Sequence, residues 1–276
     1  METINYYHPK KKFGQHFLKE HTVIETIVNS ARINSTQEII EIGPGLGILT
    51  DALYKTAKHV TAIEIDAELS KKLRNRYNSI SNVSIICSDI LAFELDAFTK
   101  EIGEYIVVAN LPYYIGTTII QKFLELTHKP KRLIIMLQKE VAESITTSKK
   151  NKNNTFLSNY VQYFGNAQII AIIPPESFQP VPKVDSAIVK IDISQDRNVQ
   201  ILEDSENNFF SFIRMGFSAP RKQLRNVFSK ATNIPAFEIE TLLNNGGFNS
   251  KNRAGNLSLK EWAELYEFAK VHKWTL

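Results

Sequence analysis

The chain has 276 residues, is 43% apolar and 22% charged, and carries a formal net charge of +4. That length holds one large domain, or a large one with a small partner, and so ordinary a composition excludes a wholly disordered or coiled-coil chain. One cysteine, Cys87, excludes an intrachain disulfide framework and fits a reducing, cytoplasmic setting, and with no apolar run near about 18 residues neither a membrane span nor a secretion signal is expected.

Residues 8–19 open on a basic tract, with Lys10, Lys11, Lys12 and Lys19 and no acid. Short Ile/Val-rich runs follow at Glu38–Ile42, Val60–Glu64, Val83–Ile86, Tyr105–Ala109 and Arg132–Leu137. Helical patterns separate them at Ile48–Lys55, Ala67–Tyr77 and Thr117–Leu126. Strands buried on both faces of a parallel sheet read as unbroken apolar runs, and strand–helix alternation implies right-handed crossovers. A second acid-free tract, residues 144–175, carries Lys149, Lys150 and Lys152. Two further strands, Gln168–Ile173 and Ser186–Ile193, are joined by loop residues and are expected to pair antiparallel at one edge. The pattern predicts an α/β fold, a doubly wound, seven-stranded Rossmann-like sheet.

Periodicity lapses at Ser194–Asn198, and only helical signals follow. Residues 207–237 hold Arg214, Arg221, Lys222, Arg225 and Lys230 without an acid. Ser258-Leu-Lys-Glu261 is a capping box, after which Leu259, Trp262 and Tyr266 recur at helical spacing. The expected boundary divides residues 1–195 from a small, all-helical domain at 196–276. Three basic tracts are compatible with a polyanion-binding surface; Arg221 and Arg225, at i and i+4, would share one helix face.

Glu41-Ile-Gly-Pro-Gly-Leu-Gly47 follows the first strand and opens a helix. The spacing is G-x-G-x-G, not the G-x-G-x-x-G of dinucleotide loops. Glu41 is poorly placed for a pyrophosphate and well placed for an ammonium, which S-adenosylmethionine carries along with a sulfonium. Gly43 and Gly45 would let the backbone pass beneath the ligand. Glu64 ends the next strand, where an acid can accept from ribose hydroxyls. Asp89 follows the third strand and can accept from an adenine amino group, with Ile65 and Ile90 as apolar walls. Acids at three successive strand ends share the carboxyl edge, where such folds bind ligands.

Asn110-Leu-Pro-Tyr113 leaves the fourth strand. The N6 lone pair of adenine is delocalised into the ring, so the nitrogen is a poor nucleophile. The Asn110 side-chain oxygen and the Leu111 carbonyl, held by the Pro112 turn, could each accept an N6–H bond and favour a pyramidal nitrogen. Tyr113 could stack on a base taken out of its helix.

With these motifs the chain resembles the ribosomal RNA adenine dimethyltransferases, specifically the small-subunit type. The matching stretches are Phe13–Leu18, Glu41–Gly45, Glu64, Ser88-Asp89, Asn110–Tyr113, Leu137–Glu140, Phe178–Ala187, Arg221–Asn226 and Arg253–Ser258. They span roughly residues 10–270. The resemblance implies transfer of two methyl groups from S-adenosylmethionine to N6 of each of two adjacent adenosines near the 3′ end of 16S rRNA. It implies cofactor contacts from His16, Leu18, Gly43, Glu64, Asp89 and Asn110, and a Phe178 ring stacked on the target base opposite Tyr113. The RNA is expected on Lys10, Lys11, Lys12, Lys149, Arg221, Lys222 and Arg225. His16 stands where the family often has Asn, and Ala219-Pro220 where it more often has a base. A monomer without a metal is expected, since the six histidines lack ligand spacing.

Four other readings compete: a 23S rRNA adenine dimethylase of the antibiotic-resistance type, a non-catalytic ribosome-assembly factor, a DNA adenine methylase and a nicotinamide oxidoreductase. The long helical tail disfavours the first and intact Glu64, Asp89 and Asn110 the second. Leu111, where DNA enzymes have proline, disfavours the third, and the glycine spacing the fourth.

Overall fold

The computed structural model describes residues 7–146, 154–194, 196–201, 206–272 and 274. A 3-10 turn at Lys11–Phe13 leads into β1 (Phe17–Leu18) and α1 (His21–Ala31). Then come β2 (Glu38–Ile42), α2 (Ile48–Leu53), β3 (His59–Glu64), α3 (Ala67–Tyr77), β4 (Val83–Cys87), α4 (Leu95–Ile102), β5 (Tyr105–Asn110), α5 (Gly116–Glu125), β6 (Arg132–Gln138), α6 (Lys139–Ile145) and α7 (Phe156–Phe164). The chain returns through β7 (Gly165–Ile173), a 3-10 turn at Pro175–Ser177, β8 (Phe178–Gln179) and β9 (Ser186–Ile193). It ends in α8 (Glu206–Gly216), α9 (Leu224–Thr232), α10 (Ala236–Asn245), a 3-10 turn at Ala254–Asn256 and α11 (Leu259–Val271).

Seven strands form one sheet in the order β4-β3-β2-β5-β6-β9-β7. Neighbours from β4 to β6 pair parallel, and β9 runs antiparallel to β6. The two late strands therefore sit at one edge of a Rossmann-like sheet. β2 buries every residue after Glu38, and β5 every residue before Asn110, because helices cover both faces. Observed strands run slightly past the apolar runs, to His59, Cys87, Asn110 and Gln138. A polar residue continues the ladder as well as an apolar one, so an apolar run underestimates a strand. α2 stops at Leu53, short of the expected Lys55, where the Tyr54 N–H closes on the Thr50 carbonyl.

The parallel register sets the carboxyl ends flush. Ile42 lies beside Ile63 and Ala109, Glu64 beside Cys87, and Asn110 beside Met136. Residues following these ends thus gather along one rim.

The chain divides into two compact units, Met1–Glu143 with Asn166–Ser194, and Ser144–Gly165 with Gln195–Leu276. Besides the crossing near residue 195, the chain crosses between units at 143/144 and 165/166. The physical reason is α7. Its Tyr160, Tyr163 and Phe164 pack on Phe210, and Tyr163 also on Phe209, in an aromatic core with α8. Nothing in its sequence separates it from a crossover helix. In α11, Ser258 and Glu261 form the expected capping box, and Leu259, Trp262 and Tyr266 are buried. Gly216 closes α8 against Trp262; a Cβ there would lie 2.2 Å from the indole ring. No helix among the described residues is long and apolar enough to cross a membrane.

Candidate active site

Behind β2 the chain turns sharply, and Gly43 (φ 65°) and Gly45 (φ 57°) take the left-handed conformation. Phe17 explains the second glycine. A Cβ on Gly45 would stand 3.0 Å from its ring. The loop is tied to β3 by a bond from the Gly43 N–H to the Ile63 carbonyl (2.9 Å).

Glu64, 3% exposed, accepts from the Gly45 N–H (3.0 Å) and the Asp66 N–H (2.9 Å). Burial pushes its carboxyl above the ordinary range, against these backbone donors. Glu41 is 1% exposed and accepts from Thr50 Oγ1 at 2.6 Å. Burial, with the charge of Glu64 adding to it, raises its carboxyl to about 8. Neither acid pairs with a lysine or arginine among the described residues. Buried carboxylates without a cation are costly. The wall therefore suits a ligand that brings its own positive charge and hydroxyl donors, as S-adenosylmethionine does.

Both acids line one open cleft. His16, Leu18, Gly43, Gly45, Ile65 and Asn110 line it with them, and so do Leu111, Pro112 and Tyr113. Asp89 and Ile90 do not. Asp89 sits at the next strand end, and its Oδ1 accepts the Leu91 N–H (2.9 Å), closing a turn. Ile90 is buried.

At the end of β5, Asn110 Nδ2 donates to the His16 carbonyl (3.1 Å). This engages the amide nitrogen and leaves Oδ1 as an acceptor on a residue that lines the cleft. Tyr113 shares a hydrogen bond with Ser186 Oγ (2.8 Å), and its ring lies near-parallel to that of His16, centroids 5.6 Å apart. His16 Nδ1 donates to the Pro180 carbonyl (2.7 Å). Phe178 pairs with Leu18 across the β1–β8 ladder and is 1% exposed within the hydrophobic core.

Sequence reasoning missed Phe13, Gly14, Gln15 and Phe17, the loop residues Pro44 and Leu46, and Ile48 and Leu49 at the start of α2, all of which line the cleft. The stretch Phe13–Leu18 carried the signal, but only His16 and Leu18 were singled out of it.

The basic residues separate. Lys10 Nζ sits 2.7 Å from Asp66 Oδ2 and 3.3 Å from Glu68 Oε2, and is thus committed to acids rather than free for phosphate. Lys12 Nζ lies over the Phe13 ring at 4.7 Å. Lys149 and the side chain of Lys11 fall outside the described residues. Arg221 and Lys222 are exposed, but in the turn before α9, so Arg221 shares no helix face with Arg225. Arg225 pairs with Glu240 of α10 and with Gln223 Oε1 (3.0 Å), which makes it a tie within the helical unit.

Residues 7–270 match the family model described as ribosomal RNA adenine dimethylase. Two relatives named ribosomal RNA small subunit methyltransferase A are each 38% identical. The one from Dehalococcoides mccartyi aligns over 93% of this chain and 87% of its own length, the one from Clostridium botulinum over 96% of both. Among solved structures, a dimethyladenosine transferase from Plasmodium falciparum superposes with a TM-score of 0.76 at 25% identity, covering 92% of this chain and 98% of that one. The 23S rRNA methyltransferase ErmE superposes at 0.70 and 23% identity over 92% and 99%, a likeness of fold alone.

Proposed function

Because the chain belongs to the ribosomal RNA adenine dimethylase family, we propose that it converts two adjacent adenosines near the 3′ end of 16S rRNA to N6,N6-dimethyladenosine. It acts as a cytoplasmic monomer on the small subunit or its precursor. When bound, S-adenosylmethionine supplies an electrophilic methyl group on a sulfonium. Glu64 accepts from the ribose hydroxyls while keeping its two backbone donors, which a carboxylate's four lone-pair sites allow. Glu41 stands as the counter-charge for the ammonium.

The observation that carries this reading is the orientation of Asn110. With Nδ2 donating to the His16 carbonyl, Oδ1 is left to accept from the base. Accepting one N6–H draws the nitrogen out of conjugation and aims its lone pair. Nitrogen gains the methyl group, the carbon–sulfur bond breaks, and the now acidic N–H proton passes to water, so no strong base is needed. Positioning and electrostatics provide the acceleration. Tyr113 presents its ring to the base.

The test is incubation with labelled S-adenosylmethionine and unmethylated small subunits, followed by nucleoside analysis and a primer-extension map. N6,N6-dimethyladenosine at two adjacent 3′ positions is the expected product. Label on large-subunit RNA, or a different nucleoside, overturns the assignment.

A further inference from the structure

The N-terminal residues do more than add positive charge. Tyr7 Oη donates to Asp66 Oδ2 (2.7 Å), and Lys10 Nζ lies 3.0 Å from Oδ1 and 2.7 Å from Oδ2 of the same carboxylate. Asp66 is 1% exposed and already caps α3, accepting from the Glu68 N–H (2.9 Å) and the Leu69 N–H (3.4 Å). Its burial alone would raise its carboxyl, yet Lys10, Tyr7 and these N–H donors bring it down to about 2. Gln15 closes the strap on itself, its Oε1 accepting from the Lys10 N–H (2.7 Å) and standing 3.1 Å from Tyr7 Oη. Phe17 then lies over Gly45, edge-on to Tyr7 with centroids 5.8 Å apart.

The strap has two functional ends. Asp66 donates its own N–H to Glu64 Oε1 (2.9 Å), the acid facing the cofactor. Six residues beyond Lys10, the His16 carbonyl holds Asn110 Nδ2. One bonded path therefore joins the ribose acceptor to the amide that faces adenine N6.

We infer that Lys10 and Tyr7 are positioning residues, latching the strap to Asp66 so that it sets the cofactor cleft and the Asn110 amide together, rather than contacts for RNA phosphate. This rests on the adenine-methylation reading for the Asn110 end only. The cofactor end is tested without RNA, by calorimetry with S-adenosylhomocysteine. Lys10→Met weakens its binding by roughly two- to fivefold, the scale of a partly exposed ion pair, and Tyr7→Phe weakens it less. Lys10→Met also slows single-turnover methylation at saturating cofactor, whereas its small-subunit affinity keeps the wild-type salt slope. Lys10→Arg restores both cofactor affinity and rate. Adding Lys10→Met to Asp66→Asn produces no further loss, because the pair acts as one unit. Unchanged S-adenosylhomocysteine affinity in both Lys10→Met and Tyr7→Phe overturns the latch. A shallower salt slope with normal cofactor affinity also overturns it, and returns Lys10 to the phosphate-binding group. A wild-type protein that binds S-adenosylhomocysteine but methylates no adenine would defeat the activity reading and leave the cofactor arm of the latch standing.

Discussion

Glu41 is where residue chemistry is most exposed to test. With its carboxyl raised to about 8, it is largely protonated in the free protein at neutral pH. A cationic ligand favours the charged form, so binding expels the proton. Affinity for S-adenosylmethionine is expected to rise with pH below about 8, by at most about tenfold per unit. Calorimetry in buffers of different ionisation enthalpy reads the released proton directly, and Glu41→Gln abolishes it. The stability consequence has the opposite sign. A carboxyl raised on folding contributes stability that is full below its unfolded value and is lost as pH rises through about 8, a loss that Glu41→Gln removes. On the proposed reading Glu64→Ala removes the ribose acceptor, and it orphans the Gly45 and Asp66 N–H groups. At about 1.5–3 kcal/mol per charge-assisted bond, S-adenosylhomocysteine affinity should fall about ten- to several-hundredfold. Asn110→Ala is expected to cut the single-turnover rate about a hundredfold at saturating cofactor, the scale set by losing one preorganised group at a reacting centre. Near-normal turnover would remove Asn110 from the role of N6 acceptor.

At the scale of elements, the helical unit is built on an aromatic core. Phe212 stacks on Phe228 (5.1 Å between centroids) and meets Trp262 edge-on (6.0 Å). Alanine is ordinarily the better helix residue by about 1 kcal/mol. At Gly216 a Cβ would collide with a Trp262 ring that is itself fully buried. Gly216→Ala should therefore destabilise by about 1–3 kcal/mol, as overpacking does, and lower the thermal midpoint of the helical unit while leaving S-adenosylhomocysteine affinity unchanged. Element identity was legible where burial was symmetric. The strands announced themselves because both faces of a parallel sheet are covered. α7 hid its allegiance because an amphipathic helix carries no record of which core it enters.

For the molecule as a whole, RNA binding separates residues that charge alone treats alike. Arg221 and Lys222 are exposed, whereas Arg225 is engaged by Glu240. Replacing Arg221 and Lys222 with Gln should weaken small-subunit binding and lower its salt slope by about 0.7–0.9 per lost phosphate contact. Arg225→Gln should leave the slope unchanged and lower the thermal midpoint instead. Filter binding across a salt series distinguishes the two, and a slope change confined to Arg225→Gln would reverse the assignment.

The linear sequence determined what depends on local order. It marked the strands that a doubly covered sheet makes apolar, the glycine turn after the first of them, and acids and an amide at strand ends that parallel pairing must bring to one rim. Tertiary structure alone decided which of those groups share a cleft and which charges are free. Asp89 falls beside the cleft, Phe178 is absorbed into the core, and Lys10 meets Asp66 across 56 positions of chain. A residue's type states which bonds it can make. Which bond it makes depends on the partner that folding brings within reach, and for Lys10 and Arg225 that partner is a carboxylate far along the chain or on a neighbouring helix.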